Sequence, residues 1–166
     1  MTTVDYIRKG LELSRKMALG LIDDMQDAPL QTPTSRGGNH PWWILGHLTY
    51  AEANLLEHVI RGNDNPLGEW SGAFGARQEV GEDASKYPSW EDVRKKNDEV
   101  RANTLAFLDT LSDADLAKPT KNCPEGREDV LGTVGACLML MTLHPMMHYG
   151  QVADARRMAG RERLMA

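Results

Sequence analysis

Apolar residues recur at helical spacing in four segments of this chain, and no segment alternates polar and apolar with period two. The first stripe is Ile7, Leu11, Ser14, Met17, Ala18, Leu21 and Met25, within about residues 4–25. The second is Ile44, Leu48, Ala51, Leu55 and Val59, within 41–61, and Trp43, His47, Ala51 and Asn54 form a line beside it. The third is Val93, Asn97, Val100, Thr104, Phe107, Leu108 and Leu111, within 89–111. The fourth is Val134, Leu138, Met141, His148, Val152 and Ala155, within 129–160. Each stripe must be buried against another element. The pattern predicts an all-α four-helix bundle, with a long loop over 62–88 between helices two and three. Its 166 residues suit one domain, 1–166.

Punctuation residues fit these limits. Asn39 or His40 can cap the second helix, with Pro41 at its first turn, and Ser89 can cap the third. Arg156, Arg157 and Arg161 suit the C-terminal end of the fourth. Residues 62–88 carry Trp70, Phe74 and Tyr87 among glycines and prolines. A connection this long is either pinned to the bundle by its aromatics or serves as a lid over a site.

Charge and cysteine usage exclude several classes. The formal charge is −5, and no basic run exceeds Arg94-Lys95-Lys96, which argues against a nucleic-acid surface. Met1 to Tyr6 has no apolar signal core, and no stretch reaches membrane-span length, so no membrane partner and a cytoplasmic location are expected. Cys123 and Cys137 lack metal-finger spacing. Cys137 falls on the apolar face of the last helix and reads as a core residue, and Cys123 in a polar loop as an unreactive thiol.

The chemistry concentrates in His144-Pro145-Met146-Met147-His148-Tyr149-Gly150-Gln151. A histidine on a helix face is more often solvated or hydrogen-bonded than ligating. His144 and His148, however, are four residues apart, which sets their Cβ atoms about 5–6 Å apart. They also lie along the stripe that should be buried, where an unpartnered imidazole is costly. A divalent metal would partner both. The third ligand must come from another helix. His47 and His58 on helix two point in nearly the same direction but are separated by about 16 Å along the axis, so only one of them can join. Pro145 removes an amide inside helix four and should kink it. Gly150 costs roughly 1 kcal/mol against Ala and suggests close approach of a helix or ligand. Gln151 can face the same cavity as the histidines, contacting substrate or orienting a ligand, or bond to backbone as an ordinary buried amide. His40 reads as capping or solvated, His58 as structural, and Trp42 and Trp43 as core anchors.

Trp42-Trp43-Ile44-Leu45-Gly46-His47-Leu48 resembles the W-x-x-G-H-L signature of the DinB-like superfamily, and the segment from His144 to Gln151 resembles its H-x-x-x-H-x-G-Q signature. The resemblance implies a four-helix bundle with metal ligands His47, His144 and His148, and often a homodimer. It also implies kinship with thiol-dependent transferases and isomerases. Three neutral imidazoles leave a fourth metal position open, as in catalytic sites. The expected protein is therefore a metal-dependent enzyme of small-molecule metabolism, a thiol transferase or a hydrolase. Zinc or nickel is the expected ion, a low-molecular-weight thiol the second cofactor, and Gln151 the residue that orients a polar group. The competing expectation is a non-catalytic metal-binding or sensing bundle. A weaker one is a bundle whose histidines are only buried polar residues.

Overall fold

A computed structural model describes every residue except 35, 36, 77, 79, 163, 165 and 166. Every named element among the described residues is helical. These residues contain no strand, only an isolated antiparallel bridge between Pro119 and Thr133. Helix α1 spans Thr3–Asp23 and starts at a capping box formed by Thr2 and Asp5. Helix α2 spans Pro41–Ala53 and continues without a break as a π-helix over Asn54–Ile60. Helix α4 spans Trp90–Leu108 behind the N-cap Ser89. The sequence pattern predicted four helices, and these segments correspond to three of them.

The fourth begins later than predicted. Residues Glu128–Leu131 form a separate turn, α5, and α6 spans Val134–Met158. Thr133 between them is extended, at φ −129° and ψ 158°, and its hydroxyl accepts from Ala136 N–H as the N-cap. The neighbouring backbone is tied to the bridge strand-wise, Val134 N–H to Lys118 carbonyl at 3.0 Å and Thr120 N–H to Gly132 carbonyl at 3.1 Å. A helix continuous from 129 would break both bonds. Past this point α6 runs uninterrupted through Pro145, which is buried.

The connection at 62–88 is not bare loop either. It holds short helical turns at Gly68–Trp70, Ser71–Phe74 (α3) and Ala84–Lys86.

Helix α1 lies against α6 and α2 against α4. Their apolar faces meet in two main clusters. One joins Ile7, Leu11, Leu56, Leu108 and Leu138. The other joins Ile22, Ile44, Phe74, Trp90 and Val152. Between these ends lies a layer of buried polar side chains. Arg101 donates to Glu52 at 2.8 Å and to the Leu11 carbonyl at 2.7 Å, and Thr104 donates to the other Glu52 oxygen at 2.7 Å. Asn97 donates to Thr49 at 3.0 Å and accepts from Arg15 at 2.9 Å. This layer ties α1, α2 and α4 together at one level. It adds Thr49 and Glu52 to the buried residues of α2, beside its apolar stripe.

Removing one partner of the Glu52–Arg101 pair leaves a buried charge uncompensated. Glu52→Ala should cost about 3–5 kcal/mol in urea unfolding. Replacing both residues with Met should cost less. Equal losses in the two proteins would mean that the pair contributes only packing.

Candidate metal centre

Three imidazoles meet at the level of the polar layer, on the side where α2 faces α6. The Nε2 atoms of His47 and His144 are 3.2 Å apart, and those of His144 and His148 are 3.3 Å apart. All three ligand atoms lie within 4.8 Å of one another. His47 is buried, and the other two are partly buried.

The tautomers follow from the outer partners. His47 Nδ1 is 2.8 Å from the Phe74 carbonyl, which can only accept, so Nδ1 carries the proton and Nε2 is bare. His148 Nδ1 is 2.9 Å from Gln151 Oε1, so it too holds its proton outward and presents a bare Nε2. Asn39 Nδ2 donates to the same Gln151 oxygen at 3.4 Å, which fixes the amide orientation. Both lone pairs are aimed at His144 Nε2. One proton on that atom can satisfy only one of them. A cation would satisfy all three at once.

Protonation of the rings is disfavoured. Burial, opposed in part by the Phe74 carbonyl, lowers the His47 pKa to about 4. Burial, with His47 and His148 adding to it, lowers His144 to about 3. Burial also lowers His148, against the pull of Gln151. All three are therefore neutral near pH 7, the form that ligates metal. Nitrogen ligands at ~2.0–2.1 Å from a tetrahedral ion stand about 3.3–3.4 Å apart, close to the two spacings seen. The group can hold a divalent ion.

The sequence around His47 explains its placement. Gly46 has no Cβ, and an added one would lie 2.2 Å from the Phe74 ring. That ring is fully buried, so it has nowhere to retreat. Glycine at 46 therefore lets Phe74 sit against α2, and the Phe74 carbonyl then reaches His47. Trp43 adds to this, stacked on the His47 ring at 4.5 Å and donating from Nε1 to the Ala73 carbonyl at 3.0 Å.

Three other expectations change. His58 is exposed and contacts the Asn63 carbonyl at 3.2 Å, instead of sharing the direction of His47. The π segment is the cause: its wider turns rotate each residue by less than an α-helix does. His40 caps α2 as expected, Nδ1 accepting from Trp43 N–H at 3.1 Å, but it is fully buried and not solvated. Its Nε2 donates to the Gly81 carbonyl at 3.0 Å. Among the described residues no other helix of the chain closely approaches Gly150, since a Cβ there would meet nothing within 4 Å.

A cavity of about 630 Å³ opens beside His47 and His144. The sequence pointed to Trp70 and Phe74 as its cover. Instead Phe74 is in the core, Ala76 is what the described residues of the 62–88 connection contribute, and Pro124, Glu125, Arg127 and Leu131 supply the facing wall. Tyr50 and Asn54 line it from α2, and Leu140 and Met147 from α6. Asn54 belongs to the line that runs beside the apolar stripe of helix two, so that line was the sequence signal for this wall. The Phe74 carbonyl had no such signal, because a backbone acceptor leaves no mark in residue type. Gln151 is behind His148 and is not among the residues lining this cavity.

A family model described as the DinB superfamily matches residues 10–152, a span that includes all three histidines. No curated protein matches the chain.

Gly46→Ala should lower stability by about 1–3 kcal/mol through overpacking. It should also weaken zinc binding, because displacing Phe74 frees His47 Nδ1. A variant with full-strength zinc binding in calorimetry would show that the Phe74 carbonyl does not set the His47 ring.

Proposed function

The chain belongs to the DinB superfamily, and we propose that it is a divalent-metal-dependent enzyme acting on small molecules, built on the family's four-helix bundle as one domain. The observation that carries this reading is the convergence of three imidazole Nε2 atoms beside a cavity large enough for a small molecule. His47, His144 and His148 are the proposed ligands, and zinc or nickel the proposed ion. When bound, such an ion lowers the pKa of a coordinated water or thiol toward neutrality.

The chain's own residues do the rest. The Phe74 carbonyl and the Gln151 amide oxygen hold His47 and His148 with Nδ1 protonated, so both rings face inward. These contacts also raise the basicity of the ligating nitrogens. Gln151 acts by orienting His148. Leu55, Leu131, Leu140 and Met147 give the cavity apolar walls that exclude water from a substrate's body. Among the described residues no carboxylate touches the three imidazoles, so these ligands leave the centre a net positive charge once loaded. That charge favours capture of a low-molecular-weight thiol as thiolate, in a transferase, or of water as hydroxide, in a hydrolase.

Titrating glutathione, bacillithiol or mycothiol into the cobalt-substituted protein separates these versions. A sulfur-to-cobalt charge-transfer band should appear with the thiol that serves as co-substrate, and His148→Ala should lose stoichiometric cobalt. If no thiol perturbs the spectrum and no ester or amide is hydrolysed, the non-catalytic metal-binding reading replaces the enzyme.

A homodimer belongs to the same proposal. From Val134 to Ala153 α6 has no charged residue, and it turns Met139, Leu143 and Met147 outward, each at least half exposed. A helix apolar on every side gains by covering its outer face with a second copy. Sedimentation at micromolar concentration should give twice the chain mass, and a monomer there would remove the dimer from the proposal.

A further inference from the structure

The cavity beside the histidines has two chemically different ends. Its inner end is formed by His47 and His144. Its outer end is formed by a tight turn, Pro124-Glu125-Gly126-Arg127, closed by Arg127 N–H to the Pro124 carbonyl at 3.1 Å. Gly126 stands at φ 74°, which an L side chain disfavours, so the turn geometry is fixed by that glycine. The turn is anchored on both sides. Gly126 N–H donates to the Glu128 carboxylate at 3.1 Å, and the Arg127 carbonyl accepts from Leu131 N–H at 2.8 Å as α5 begins.

Glu125 and Arg127 both line the cavity and are both exposed. Neither forms an ion pair among the described residues, not even with the other, two positions away. Among the described residues the other exposed arginines, Arg61 and Arg157, are both paired, so a free exposed guanidinium sets Arg127 apart, whereas most exposed acids of the chain are unpaired. An ordered mouth therefore presents one carboxylate and one guanidinium to whatever enters.

We propose that this cavity takes a small molecule with an α-amino-acid head: ammonium at Glu125, carboxylate at Arg127, and an apolar or sulfur-bearing tail running between Leu131 and Leu140 toward the histidines. A simple acid would meet Arg127 but be repelled by Glu125, and a simple amine the reverse. Only a zwitterion satisfies both. Guanidinium suits the carboxylate because it binds both oxygens in one plane. The inner end of this assignment rests on the metal-dependent reading of the same cavity, and the head recognition does not.

S-Benzyl-L-cysteine is a suitable probe, since it has the head and an apolar tail but no free thiol. Its binding is measured by calorimetry against the analogue without the amino group and the analogue without the carboxylate. Each truncation should weaken binding by about tenfold or more, the value of a hydrogen-bonded charge. Arg127→Gln should erase the difference between the amino acid and its decarboxylated analogue. Glu125→Gln should erase the difference between the amino acid and its deaminated analogue. Both side chains are exposed, so neither variant threatens the fold. The same preferences should persist in metal-free His148→Ala protein. Equal affinity for the three molecules, no binding of any at millimolar concentration, or preferences unchanged in both variants would overturn the proposal. Preference for the zwitterion without any thiol response of the cobalt protein would uphold the head site and defeat the thiol reading.

Discussion

Four ring N–H groups at the start of α2 hold the 62–88 connection in place. His40 donates to Gly81, Trp42 to Pro88, Trp43 to Ala73 and His47 to Phe74, all to backbone carbonyls. A connection laid against a helix end has to find partners for the carbonyls that this covers. Here one helical end supplies them from aromatic rings, whose apolar bodies at the same time fill the core around Phe74 and Trp90. Tyr87 completes the attachment, stacked on Phe74 at 5.4 Å and donating to Gly81 at 2.8 Å. One of these four rings is a candidate metal ligand. The geometry of the site is thus part of the same lattice of contacts that folds the connection.

Much of this was legible in residue order. The stripes located α1, α2, α4 and α6, and the face argument placed His144 and His148 together. The two family signatures supplied His47. What failed to show were effects that depend on neighbours in space. The π segment over Asn54–Ile60 has no composition of its own, and it turned His58 outward. Thr133 reads as an ordinary helical residue until the bridge to Pro119 holds it extended. His40 reads as capping or solvated; it caps α2, but nothing in the sequence shows that it is buried, with Gly81 and Tyr87 against it. The two signature glycines divide sharply. Gly46 is required by the Phe74 ring, whereas nothing in the structure explains Gly150.

The middle of the molecule concentrates polarity that a bundle of this size usually keeps at its surface. On one side of α2, Thr49 and Glu52 meet Asn97, Arg101 and Thr104. On the other side, His47 meets His144 and His148. The first set is nearly closed: its carboxylate and guanidinium answer each other, and of Arg101 only Nε is left without a partner. The second is open, because three acceptors face one another with too few protons. Satisfied polarity locks the helices at one register. Unsatisfied polarity at the same height leaves a place where binding, not folding, supplies the missing charge.

The π-helix has a consequence for how this chain can vary in length. A π turn carries one more residue than the α turn it replaces. Losing a single residue within 54–60 would therefore let an ordinary α turn close over the same stretch, and the positions on either side would keep their facing. Leu55, Leu56, Val59 and Ile60 pack one end of the core, so the loss is felt within the segment itself. The stretch upstream, with Trp43, Gly46 and His47, would keep its place. A deletion in the regular helix before Asn54 has no such slack: it would swing every later position by about 100° and turn part of that core to water.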